Sequence, residues 1–120
     1  MKSVLIVDDE TDYVNLIRSE IEAAGYSVDV ACDGVEAVLK ALDKPYDIAL
    51  LDMVMPNLDG VGAIRILKKV RTRMPIIALS GSMEHDRLSE TIKAGALMFV
   101  YKPFSTSWLI SQIKWVVGDK

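Results

Sequence analysis

Apolar residues fall along this chain in short runs separated by longer mixed stretches, and the two kinds alternate five times. Residues 4–7, 28–31, 48–51, 76–79 and 98–101 have strand length. Most of these runs are too continuously apolar for a sheet with one wet face, so a parallel sheet covered on both sides is predicted. Between them, apolar residues recur at helical spacing. Val14, Ile17, Ile21 and Ala24 form one stripe, closed by Gly25. Val35, Val38, Leu39 and Leu42 form a second, opened by Asp33 and stopped before Pro45. Val61, Ile64, Leu67 and Lys68 continue the pattern, with Asp59 as N-cap. A weaker helix is predicted over roughly 84–94, ended by Gly95, and a last one after Ser105 and Thr106 with Leu109, Ile113 and Val116 on one face. Five repeats of strand then helix with short connections predict an α/β fold, one doubly wound sheet with helices on both faces over residues 1–120.

Composition narrows the picture. A chain of 120 residues, about half of them apolar, is one domain that can bury enough surface to fold alone. The net charge of −3 gives no electrostatic reason to bind nucleic acid. Lys68, Lys69, Arg71 and Arg73 form the one basic cluster, which reads as a solvated helix end favoured by the helix dipole. Cys32 is the only cysteine, so an internal disulfide or a Cys-based zinc site is excluded and a reducing compartment fits. The first apolar run is too short for a signal peptide, and no run approaches the roughly 20 apolar residues of a membrane span. A cytoplasmic protein without a membrane partner is expected.

The candidate chemistry lies at the strand ends, where α/β folds of this kind bind ligands. Asp8 and Asp9 follow the first strand, Asp52 ends the third, Ser80 ends the fourth and Lys102 follows the fifth. If the strands run in the order 2-1-3-4-5, these positions converge on one edge of the sheet. Three carboxylates together repel one another, and a hard divalent cation such as Mg²⁺ offsets that repulsion while keeping waters and a phosphate as further ligands. Lys102 adds a point positive charge for a phosphate oxygen. Ser80 offers a hydroxyl, and Gly81 leaves room and a backbone N–H. One carboxylate can then act as nucleophile while the surrounding charge stabilises a transferring phosphoryl group. Each feature alone is ordinary: an Asp pair after a strand is commonly a turn or cap, and Ser-Gly and Lys-Pro pairs are common in loops. The specificity lies in four strand ends carrying complementary chemistry.

These residues resemble the receiver domain of two-component response regulators along essentially the whole chain. The matching segments are Val-Leu-Ile-Val-Asp-Asp-Glu at 4–10, Asp-Gly-Val-Glu-Ala at 33–37 and Asp-Ile-Ala-Leu-Leu-Asp-Met-Val-Met-Pro at 47–56. Asp59-Gly60, residues 75–81, Ala94-Gly95-Ala96 and Tyr101-Lys102-Pro103-Phe104 also match. The resemblance implies a flavodoxin-like (βα)₅ fold with the order 2-1-3-4-5. It implies Asp52 as phosphoacceptor, Asp9 as a direct Mg²⁺ ligand, Asp8 acting mainly through water, and the backbone carbonyl of Val54 as a further ligand. Ser80 is similar to the switch hydroxyl and Lys102 to the phosphate-binding lysine, with a cis Lys102–Pro103 bond. The phosphoryl group would come from a sensor histidine kinase or phosphotransfer protein. The domain would catalyse only that transfer and its own later hydrolysis, and so would be no enzyme beyond it. Phosphorylation would draw Ser80 inward and reshape the surface of the fourth helix, fifth strand and fifth helix. That surface would meet a downstream effector, an output domain of a parent chain or, as a homodimer, a second copy.

The chain departs from the pattern in two places. Phe99 stands where the switch aromatic is more usually tyrosine, so it has no hydroxyl to bond in either state. Val54 and Ser82 flank the expected path of the attacking water, and apolar Val54 predicts slow self-hydrolysis. Trp108 and Trp115, seven residues apart, share one side of the last helix and flank its apolar stripe. They read either as a partner contact or as packing at the edge of the core. His85, between Glu84 and Asp86, reads as solvated. Among other functions, a phosphorylation-independent pseudo-receiver that serves as a protein-interaction module is disfavoured by the five filled pocket positions. An aspartyl-phosphate phosphatase would need an Asp where Val54 stands. A flavodoxin-like electron carrier would need a Ser/Thr/Gly-rich first loop where this one is acidic. With no output segment after the last helix, the output is expected in a partner or a larger parent protein.

Overall fold

The structure, a computed structural model, describes residues 1–53, 59–81 and 87–118. Strands and helices alternate along them: β1 (Ser3–Val7), α1 (Thr11–Ala23), β2 (Ser27–Ala31), α2 (Gly34–Asp43), β3 (Ile48–Asp52), α3 (Gly60–Val70), β4 (Ile76–Ser80), α4 (Leu88–Ala94), β5 (Met98–Tyr101) and α5 (Thr106–Val117). The five strands are parallel and ordered β2-β1-β3-β4-β5. The chain moves outward in one direction from β1 to β2 and in the other from β3 to β5. The order therefore reverses between β1 and β3, and their carboxyl ends open a crevice.

Every residue of β1, β3 and β4 is buried, as runs apolar on both faces require. Alternate side chains divide into two cores. On one face Val4, Ile6, Leu50 and Leu79 pack with Val14, Ile17 and Ile21 of α1 and Leu109 and Ile113 of α5. On the other, Leu5, Val7, Leu51 and Ile76 pack with Ala37 and Ala41 of α2 and Val61, Ile64 and Leu67 of α3. Asp33 caps α2 by accepting the Glu36 N–H at 2.8 Å, Asp59 caps α3 by accepting the Val61 N–H at 3.3 Å, and Ser105 caps α5 by accepting the Trp108 N–H at 3.1 Å. Gly25 and Gly95, at φ +104° and +123°, end α1 and α4 in a region that side chains avoid. Among the described residues no helix is long and apolar enough to cross a membrane.

Two expectations are corrected. Most of the predicted α2 stripe faces outward: Val35, Leu39 and Leu42 are each half or more exposed and only Val38 packs against the core, while Ala37 and Ala41 are fully buried. Alanine lets α2 seat closely on β1, β2 and α3, and that closeness outweighs the larger side chains on the far face. The basic cluster is not simply solvated. Lys68 Nζ donates to the Met74 carbonyl at 2.8 Å. Arg71 donates to the carbonyls of Ala41 at 2.8 Å and Leu42 at 3.4 Å, satisfying the open end of α2. Of the helix expected over roughly 84–94, the described part begins at Leu88, and residues 82–86 lie outside the described residues.

Candidate functional site

Asp8 follows β1, and its N–H donates to the Ala31 carbonyl at 3.0 Å, which continues the ladder one step past the strand. Its Oδ1 accepts the Glu10 N–H at 2.9 Å and so turns the chain into α1. Asp52 is the last residue of β3, and it and Asp8 are both buried, while Asp9 between Asp8 and α1 is exposed. One carboxylate oxygen from each of the three lies within 4.8 Å of the others. Adjacent strands, β1 and β3, bring together acids that are 43 and 44 residues apart in the chain.

Lys102 reaches this cluster from the end of β5. Its Nζ is 3.6 Å from Asp52 Oδ2 and 3.9 Å from Asp8 Oδ2, with the side chain only 25% exposed. Its backbone N–H donates to the Ser80 carbonyl at 2.7 Å, which joins the serine and lysine strand ends. The Lys102–Pro103 peptide bond is cis. Ser80 is fully buried, and its hydroxyl donates to the Gly81 carbonyl at 3.0 Å.

Burial pushes the Asp8 carboxyl up to about 6, and the neighbouring charges of Asp52 and Asp9 add to this against the Glu10 N–H and Lys102. Asp8 Oδ2 is buried and accepts no hydrogen bond among the described residues. A buried orphan oxygen among three hard carboxylate donors fits a small divalent cation of the Mg²⁺ class. Val54, expected to add a carbonyl ligand, lies outside the described residues, as do Ser82 and His85.

Phe99 does not join this cluster. It is partly buried against the core beneath α2 and α3, edge-to-face with Tyr101 at 5.2 Å. Trp108 and Trp115 of α5 are 42% and 82% exposed, so core-edge packing does not describe Trp115.

Two contributors escaped the sequence reading. Tyr13, in the first turn of α1, lies under Lys102 with its ring centroid 5.0 Å from Nζ and packs edge-on against Phe104. Burial, then the charges of Asp8 and Asp52, push its phenol up to about 12. Its signal was only a tyrosine one turn after the acid pair. Gly60 starts α3 against the residue after Asp52, where a Cβ would meet Met53 Cα and O at 2.9 Å. The Asp-Gly pair at 59–60 could have marked that close approach.

The response regulator receiver domain family matches residues 4–114. Response regulator ArlR of Staphylococcus epidermidis is 34% identical over 118 residues, covering 98% of this chain and 53% of that protein, so the chain spans about half the length of this relative. A CheY-like response regulator receiver domain protein from Methanospirillum hungatei JF-1 superposes with a TM-score of 0.94 at 27% identity, covering 99% of this chain and 95% of that one. The receiver domain of the sensor histidine kinase PA1611 from Pseudomonas aeruginosa PAO1 superposes with a TM-score of 0.88 at 29% identity over 98% of both chains, and it was solved with a magnesium ion coordinated in its active-site cleft. A family match over nearly the whole chain, a shared β2-β1-β3-β4-β5 sheet and an acid cluster at its switch point place this chain in the receiver domain family of two-component response regulators.

Proposed function

We propose that this receiver accepts a phosphoryl group on Asp52 from a phosphohistidine of a sensor histidine kinase or phosphotransfer protein, in a Mg²⁺-dependent step, and that the modified aspartate works as a switch. The carrying observation is the convergence of Asp8, Asp9 and Asp52 within 4.8 Å, with the Lys102 ammonium at 3.6 Å from Asp52. An Asp52 carboxylate oxygen attacks phosphorus. A P–O bond forms, the P–N bond breaks, and its electron pair stays on the leaving imidazole. Lys102 meets the charge on a phosphoryl oxygen, and the Ser80 hydroxyl turns from the Gly81 carbonyl toward another. Asp8, Asp9, Asp52 and the Val54 carbonyl would hold the Mg²⁺, which would supply the positive charge needed for carboxylate and phosphate to approach each other.

On this reading residues 1–120 form one cytoplasmic regulatory unit that catalyses its own phosphorylation and slow hydrolysis and nothing further. Phe99 carries the signal by ring position alone. Leu88, Ile92, Leu97, Tyr101, Trp108 and Trp115 are exposed on α4, β5, α5 and the turn into β5, which suits a face for an effector, a parent-chain output domain or a second copy. The test is treatment with acetyl phosphate, with and without Mg²⁺, followed by intact mass, and with beryllofluoride, followed by tryptophan fluorescence. One phosphoryl mass appearing only with Mg²⁺, and lost in Asp52→Ala, is expected. No Mg²⁺-dependent gain, or a gain that survives Asp52→Ala, would sink the proposal in favour of a phosphorylation-independent interaction module.

A further inference from the structure

Charge is unevenly divided along this chain. Residues 1–59 hold thirteen of the seventeen carboxylates and four of the fourteen lysines and arginines, whereas residues 60–81 hold five cations and no acid. The fold gathers part of that excess into one place. Arg65, Lys68 and Lys69 of α3 and Lys93 and Ala94 of α4 line a groove of about 320 Å³. Arg65, Lys69 and Lys93 are exposed, and none of them pairs with a carboxylate among the described residues. Lys68 is fixed as the floor: its amine is held by the Met74 carbonyl, and its stem lies where a Cβ on Gly95 would be, 2.7 Å from Lys68 Cγ. Cations at helix C-termini are ordinary, since they oppose the dipole. Arg65 sits mid-helix, however, and the groove draws on two separate helices, so the dipole does not account for it.

We propose that the groove between α3 and α4 is a docking site for an acidic polypeptide segment of a partner protein. Its size admits a few carboxylate side chains between the lysine stems, and its cations would meet them without competing internal partners. A long polyanion such as duplex DNA or an anionic bilayer fits poorly. Either needs cations along an extended surface, whereas this groove is lined by four in a chain whose net charge is −3. The groove lies along the C-terminal halves of α3 and α4 and includes none of the strand-end residues around Asp52, so this inference does not depend on phosphorylation.

The test is fluorescence anisotropy of a labelled short polyglutamate peptide with the full chain, repeated with polyglutamine, a short DNA duplex and phosphatidylserine vesicles at one ionic strength. Polyglutamate should bind best, more weakly as salt rises, and shift backbone amides around Arg65, Lys69 and Lys93. The variant carrying Arg65→Gln, Lys69→Gln and Lys93→Gln, folded by circular dichroism, should bind about tenfold more weakly, the loss expected of three exposed ion pairs. Equal binding by that variant, amide shifts centred elsewhere, or tighter binding of DNA or vesicles would each overturn the proposal.

Discussion

The acid pocket and the basic groove concentrate charge in opposite ways. In the pocket, two of three carboxylates are buried, and the strand ends force them together, so the repulsion needs a fixed counter-charge in Lys102. In the groove, three of the four cations stand in solvent, where water screens their repulsion and the fold spends nothing to bring them close. Like charges therefore carry a folding cost only in the pocket, and that cost is what a bound cation can relieve. The groove can offer affinity to a partner but stores no such strain.

The largest expected break in this contrast comes from Lys102→Met. Removing the cation beside two buried acids should cost roughly 2–3 kcal/mol of metal-free stability in denaturant melts, less than a fully buried pair because part of Lys102 meets solvent. Added Mg²⁺ should recover much of it; an unchanged midpoint would remove the counter-charge argument. Gly60→Ala comes next. Its Cβ would press on Met53 backbone, so about 1–3 kcal/mol should be lost, together with weaker Mg²⁺ binding as Asp52 shifts.

A pH series sharpens the same point. Because the Asp8 carboxyl is raised from 3.8 to about 6 in the fold, its protonated form is favoured there; that stability is fully present below 3.8 and is lost as pH rises through about 6. The metal-free melting temperature of wild type should fall across this window, while Asp8→Asn should lack that component and be more stable at neutral pH. A wild-type profile rising with pH would contradict the burial of that charge.

Smaller effects are expected outside the pocket. Tyr46 donates to Asp29 at 2.7 Å, and this bond holds the Asp29 carboxyl below its usual range. Its contribution is present above 3.8 and lost as pH falls through the lowered value. Tyr46→Phe should cost about 1 kcal/mol or less at neutral pH, since Asp29 is partly solvated, and should flatten the acid limb of the melt. The Arg65, Lys69 and Lys93 triple substitution should change stability least, within about 0.5 kcal/mol, because exposed charges contribute little to folding. A larger loss would show that the groove, like the pocket, is part of the packing.

Much of the fold was legible because its signals are local. Runs apolar on both faces marked the buried strands, and Asp33, Asp59, Ser105 and Gly95 bounded helices by cap chemistry. The site was legible because its side chains sit at strand ends and have unlike chemistry. Tyr13 was missed because an aromatic beside an acid pair carries no signal until Lys102, 89 residues later, lies over its ring. The α2 face was misread because periodicity registers large side chains, while seating favoured the small ones.

The sequence by itself determined the α/β alternation, the caps and the inventory of three acids, a serine and a lysine, since each depends on neighbours a few residues away. Only the tertiary structure decided their distances, the burial that raises Asp8, the outward turn of Val35, Leu39 and Leu42, and the pairing of α3 and α4 cations in one groove. Those outcomes depend on which distant segments pack together, and periodicity along one segment carries no record of what its neighbour will be.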